Sequence, residues 1–143
     1  LAALDAGTIV AVCDIVPEAA ERAAAQLNAT AYTDYDHFLR HGLDLVIIAT
    51  PDTLHAQMAA QALEAGVGVV SEVPAATTVE DGRRLVQAYR SSGGFYMLLE
   101  NYGYRDESEL LRRMYLAGKF GDVYFGEGEY LHDCRGLNRF ADG

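Results

Sequence analysis

The feature that most constrains this chain is a repeated alternation, in which short β-branched runs stopped by a polar or turn-forming residue are followed by longer stretches with helical spacing. Thr8 to Cys13 (TIVAVC) reads as a strand closed by Asp14, and Pro17 to Leu27 (PEAAERAAAQL) as an Ala-rich helix with proline in its first turn. Tyr35 to Arg40 reads as a short helix. Leu43 to Ala49 (LDLVIIA), stopped by Thr50-Pro51, is the most strand-like run, and its near-continuous apolar sequence predicts a central strand buried on both faces. Asp52 or Thr53 is placed to cap a helix that turns Leu54, Met58, Ala59, Ala62 and Leu63 inward and ends at Gly66. Val67 to Ser71 is the next strand and leads into Glu72-Val73-Pro74. Thr77 and Glu80 then form a capping box for a helix with Val79, Leu85, Val86 and Tyr89 inward, and Phe95 to Leu99 is a further strand. Strands alternating with helices in this way predict an α/β fold, a parallel sheet covered by helices.

The periodicity changes character near residue 105. A helix from Asp106 to Ala117 offers Leu110, Leu111, Met114 and Tyr115 for burial and stops at Gly118, and Val123 to Leu131 reads as a partly alternating strand. We therefore expect one domain over 1–104 and the opening of a second over 105–143. With 143 residues, half of them hydrophobic, the chain has enough apolar surface to fold. Eleven Lys and Arg against 21 Asp and Glu give 11 − 21 = −10, which repels polyanions and argues against nucleic acid as a partner. Cys13 and Cys134 lie far apart with no CxxC or clustered Cys/His spacing, so neither a disulfide framework nor a metal site is expected, and a reducing, cytoplasmic setting fits best. No apolar run approaches the roughly 20 residues of a membrane helix, and Leu1 to Gly7 lacks the basic start of an export signal.

In open parallel sheets, ligands bind beyond the carboxyl ends of the strands, where loops and helix N-termini offer unpaired N–H groups. Four such ends carry polar or turn-forming residues: Asp14, Thr50-Pro51-Asp52, Glu72-Val73-Pro74 and Glu100-Asn101. An acid directly after a strand, as at Asp14, is where a dinucleotide-binding fold accepts hydrogen bonds from the adenosine ribose, and its charge favours NAD over NADP; the alternative is that Asp14 only starts the turn before Pro17. The glycine fingerprint GxGxxG does not occur. Leu1 to Gly7 reads as the tail of a helix entering the sheet's second strand, so the expectation is an internal piece of a longer protein whose phosphate-binding turn lies upstream.

Taken together, Asp14 after TIVAVC, Tyr32-Thr33-Asp34-Tyr35, Ala49-Thr50-Pro51-Asp52-Thr53-Leu54-His55, Ala62-Leu63-Glu64-Ala65-Gly66 and Glu72-Val73-Pro74 resemble the N-terminal domain of the Gfo/Idh/MocA oxidoreductases. Gly118-Lys119-Phe120-Gly121-Asp122-Val123 resembles the segment that opens that family's substrate domain. The resemblance implies a Rossmann-type doubly wound parallel sheet lacking its first β-α unit, followed by the start of an α/β C-terminal domain. It also implies hydride transfer between a nicotinamide cofactor and a carbohydrate or polyol hydroxyl. Carried over by position, Thr50, Pro51, His55 and Asn101 would line the dinucleotide, Glu72 would bond the nicotinamide ribose, and Asp14 the adenosine ribose. Considered alone, Thr50-Pro51 is also a plain strand terminator and His55 a solvent-facing residue of a helix's first turn.

One departure matters for chemistry. The family's usual Glu-Lys-Pro carries a lysine that serves the proton inventory at the reacting carbinol, and here position 73 is valine, which cannot carry a proton. Tyr104 and His132 are the candidate acid/base residues, with Tyr102 as a further aromatic and Glu100 and Asp133 able to orient them. The Glu-Val-Pro-Ala variant, with Met97-Leu98-Leu99-Glu100-Asn101, Tyr104 and Tyr130-Leu131-His132-Asp133-Cys134-Arg135, resembles a subgroup that includes NAD-dependent α-N-acetylgalactosaminidases. The alternatives implied are thus a sugar oxidoreductase, an NAD-dependent glycosidase, and an inactive nucleotide-binding piece. Tyr124, Phe125 and Tyr130 are expected to pack on a sheet, and the resemblance implies a homo-oligomer interface of the kind this family forms.

Overall fold

A computed structural model describes residues 7–131 and Asp133. The chain divides into two compact units between Glu100 and Asn101. In the first unit, β1 (Ala11–Cys13), α1 (Pro17–Leu27), β2 (Thr30–Tyr32), α2 (Tyr35–Leu39), β3 (Leu45–Ile48), α3 (His55–Glu64), β4 (Gly68–Ser71), α4 (Val79–Ser92) and β5 (Tyr96–Leu98) follow in order, with a 3₁₀ turn at Asp52–Leu54 before α3. All the strand pairs are parallel: β1 with β2, and β3-β4-β5 as a three-stranded sheet. No ladder joins β1 to β3 among the described residues. These are the pairings of a doubly wound sheet, spatial order 3-2-1-4-5-6, without its first strand.

Local chemistry explains the boundaries. Pro17 has no N–H to lose at the start of α1, and Asn28 ends that helix in the left-handed region. The Asp34 carboxylate accepts the His37 N–H at 2.7 Å and caps α2. Gly66, at φ +80°, ends the turn after α3, where the Val67 N–H reaches the Ala62 carbonyl at 2.9 Å. A β-carbon at Gly68 would stand 3.1 Å from the Asp44 carbonyl oxygen, so glycine lets β4 approach the chain entering β3.

The core lies where α3 meets β3, β4 and α4. Ala59, Ala60 and Ala62 are fully buried and their small side chains bring the helix close to its neighbours, with Leu63, Ile48 and Val69 filling the space between. Phe38 and Leu39 of α2 join the same cluster, and Ala11, Cys13, Tyr32 and Tyr35 pack against it. The two sheets of this unit therefore share one core.

Several expectations are corrected here. Along β3, Val46 and Ile48 are buried while Leu45 and Ile47 are 42% and 45% exposed, because helices cover one of its faces among the described residues. Neither Asp52 nor Thr53 caps α3; the 3₁₀ turn leads into it, and His55 and Ala56 take inward places while Leu54 lies exposed. On α4 the buried residues are Leu85 and Ala88, whereas Val79, Val86 and Tyr89 are exposed, since the helix presents only a narrow stripe to α3. Its cap is one residue later than expected: the Thr78 hydroxyl accepts the Asp81 N–H at 3.1 Å and donates to the Asp81 carboxylate at 2.5 Å. The short strand β2 was not apparent from the three apolar-polar residues that form it.

The second unit holds a 3₁₀ turn at Tyr102–Tyr104 and α5 (Asp106–Leu116). The Arg105 guanidinium lies 4.1 Å from the Tyr102 ring centre, and the Ser108 hydroxyl donates to the Tyr102 carbonyl at 2.7 Å. Glu109 accepts from Arg112 and Arg113, and these bonds hold its carboxyl down at about 2. Leu110, Leu111 and Tyr115 are exposed rather than buried, and 123–131 form no strand. A lone extended segment has no ladder to satisfy its N–H and C=O groups, so alternation without a partner does not make a strand. Tyr124 and Phe125 are correspondingly exposed, while Tyr130 meets Tyr102 edge to face at 5.3 Å.

The cap gives a direct test. Thr78→Ala should lower unfolding stability by about 1 kcal/mol and Thr77→Ala by only a few tenths, read as a shift of the urea midpoint; equal losses would return the cap to Thr77.

Candidate functional site

Three strand ends are laddered together at one edge of the β3-β4-β5 sheet. The Glu72 N–H donates to the Ile48 carbonyl at 2.9 Å, and the Leu99 N–H to the Ser71 carbonyl at 2.8 Å, so the chains leaving β3, β4 and β5 start from a common level. Thr50-Pro51 follows β3, Glu72-Val73-Pro74 follows β4, and Leu99-Glu100 follows β5. Asp14 occupies the corresponding place after β1 in the companion sheet.

At the β3 end, the Thr50 hydroxyl oxygen is buried and has no hydrogen-bond partner among the described residues. A buried hydroxyl left unpaired costs about 1–3 kcal/mol, and the Tyr96 hydroxyl is also in this state among the described residues. Pro51 beside it is exposed and extended. At the β4 end, Glu72 is half-buried and its carboxylate accepts the Val73 N–H at 3.3 Å, while the fully buried Ser71 hydroxyl donates to the Glu72 carbonyl at 3.0 Å. The Val73-Pro74 peptide is cis, and Val73 is exposed.

His55 differs from its sequence-based expectation. It neither faces solvent nor lies open to a ligand: it is 1% exposed, with Nδ1 2.9 Å from the Pro74 carbonyl oxygen and Nε2 2.6 Å from that of Thr50. Both ring nitrogens are engaged by the chain, so His55 stands behind the rim and not on it.

At the β1 end, Asp14 is exposed, and its carboxylate accepts the Val16 N–H at 2.8 Å, which leaves its other oxygen free of that turn. Burial raises the Cys13 thiol pKa, and the charges of Asp14 and then Asp34 raise it further. Two carboxylates therefore act on this strand end. Burial, followed by Cys13, likewise pushes the Tyr35 phenol up, and its hydroxyl donates to the Met58 carbonyl at 3.1 Å.

Sequence reasoning missed the parts played by Ser71 and Asp34. A serine closing an otherwise apolar strand, and an acid between a strand and a helix, were the signals available. Asn101 and Tyr104 belong to the second unit, where the Tyr104 N–H donates to the Asn101 carbonyl at 3.1 Å and both side chains are exposed. His132 lies outside the described residues. Among the described residues, no group of three or more His, Cys, Asp or Glu is placed to hold a metal ion, and no helix is long and apolar enough to cross a membrane.

Residues 1–99 match the model of an oxidoreductase family with an NAD-binding Rossmann fold. The chain belongs to the Gfo/Idh/MocA oxidoreductase family. A glycosyl hydrolase family 109 protein of Stenotrophomonas maltophilia is 37% identical over 142 residues, covering 90% of this chain and 31% of the relative. The one from Saccharopolyspora erythraea is 35% identical over 140 residues, covering 90% and 30%. The WlbA dehydrogenase of Bordetella pertussis, whose crystal structure holds NADH and UDP-GlcNAcA, superposes with a TM-score of 0.76 at 33% identity over 82% of this chain and 34% of that one. This chain thus spans about a third of the length of the Gfo/Idh/MocA proteins it resembles. The orphaned Thr50 hydroxyl and the acids at the strand ends fit the NAD-binding role of the family's Rossmann domain.

Thr50→Val removes that hydroxyl with little change of shape. In the full-length protein it should leave thermal unfolding unchanged or slightly higher and weaken NAD about three- to tenfold by calorimetry; unaltered affinity would show that the hydroxyl meets no ligand.

Proposed function

We propose that the full-length protein is an NAD-dependent oxidoreductase that moves a hydride between the nicotinamide and a hydroxyl of a sugar-like substrate. The observation that carries this reading is the buried, unpartnered Thr50 hydroxyl at the same sheet end as the Glu72 carboxylate. When bound, NAD supplies the hydride acceptor and, once reduced, the donor. In this reading Glu72 accepts from the nicotinamide ribose, while Thr50 and Pro51 line the dinucleotide.

Asp14 accepts from the adenosine ribose through the oxygen not committed to Val16. Asp14 and Asp34 together make this strand end hostile to a 2′-phosphate, which supports NAD over NADP. Val73 neither gives nor takes a proton, so the acid/base work falls to Tyr104 or His132. The UDP-GlcNAcA bound to the WlbA dehydrogenase supports a sugar derivative as substrate class.

A second reading, an NAD-dependent glycosidase acting on α-N-acetylgalactosaminides, is favoured by Val73 in the Glu-Val-Pro run and by the relatives named glycosyl hydrolase family 109. Turnover separates the two. An oxidoreductase changes absorbance at the reduced-nicotinamide band in step with product, whereas a glycosidase releases the aglycone with no net change in that band.

Cofactor choice is tested at Asp14. Asp14→Ser should weaken NAD about tenfold while NADP loses less or gains, measured by titration of the full-length protein; an unchanged ratio would remove Asp14 from the ribose.

A further inference from the structure

We propose that His55 serves as a positioning residue, its ring clamping the Thr50 loop to the Pro74 loop. Its two ring nitrogens lie at hydrogen-bond distance, 2.6 Å and 2.9 Å, from the backbone carbonyl oxygens of Thr50 and Pro74. The side chain is 1% exposed, so water does not compete for these contacts.

A second observation concerns where the molecule places buried polarity. Among the described residues, His55 and Ser71 are the buried polar side chains, and both bond to loops at this end of the sheet. Ser71 fixes the Glu72 carbonyl from the strand side, and His55 fixes the Pro74 carbonyl from the helix side. The Glu72-Val73-Pro74 segment is thus pinned at both ends. Through its other nitrogen His55 ties the same segment to Thr50, which carries the orphaned hydroxyl. The clamp sets the spacing of two loops that meet a ligand, and a preset spacing spares the ligand the cost of ordering them. Its effect on NAD rests on the reading of this rim as the dinucleotide site, whereas its hold on the two loops does not.

The first experiment follows amide exchange in the full-length protein without cofactor, comparing wild type with His55→Phe. The expected result is faster exchange in the Thr50–Thr53 and Glu72–Val73 segments of the variant. Unchanged exchange in both segments overturns the proposal whatever NAD does.

The second experiment compares NAD affinity across His55→Phe, which keeps no donor, and His55→Gln and His55→Asn, which keep one. We expect about tenfold or greater weakening in His55→Phe and partial rescue in the others, with affinity following donor number and not melting temperature. Affinities that follow only melting temperature would reduce His55 to a core residue and overturn the positioning role. If His55→Phe speeds exchange in both loops and neither wild type nor any variant binds NAD, the dinucleotide reading fails while the clamp stands.

Discussion

The structure depends on the registered parallel ladder that brings β3, β4 and β5 to a common end. Amide and carbonyl groups of the main chain must be paired when buried, and a parallel ladder pairs them in only one sense of direction. Each strand then delivers its following loop to the same side. The Glu72 N–H to Ile48 carbonyl bond is the last rung between β3 and β4, and the loop carrying Glu72 begins at that rung. Residues more than twenty positions apart in sequence become neighbours at one rim for this reason, and no side chain has to be invoked to gather them.

Upon that backbone, polar side chains are spent sparingly. The core is alanine, leucine, isoleucine and valine, with α3 drawn close by its alanine face. Among the described residues, the buried polar side chains of His55 and Ser71 bond to backbone carbonyls of the rim loops, and the Thr50 hydroxyl beside them is buried without a partner. Buried polarity is expensive, and its concentration behind a strand end suits a loop that must hold its shape.

Much of the fold was legible in the sequence because it depends on local signals. Pro17, Gly66 and Gly118 punctuate helices through conformational limits that any context respects. Burial was less legible. Val79, Val86 and Tyr89 have helical spacing yet face outward, because spacing defines a stripe and the neighbouring element decides how much of it is covered. Val123 to Leu131 alternates and still forms no strand, because pairing is a property of two segments. The places of Asp14, Thr50 and Glu72 directly after strands were legible from the turn-forming or polar residues that stop each apolar run. His55 was legible as a residue of interest and misplaced in space, since a helix's first turn reveals nothing of which carbonyls it will meet.

Hydrogen–deuterium exchange of the full-length protein with and without NAD tests the central claim most directly, that the strand ends form one dinucleotide rim. The account predicts that NAD slows exchange in peptides containing Asp14 to Val16, Thr50 to Asp52 and Glu72 to Val73, while the outer face of α4 is unaffected. Protection that spares these three segments, or falls chiefly on α4, would contradict it.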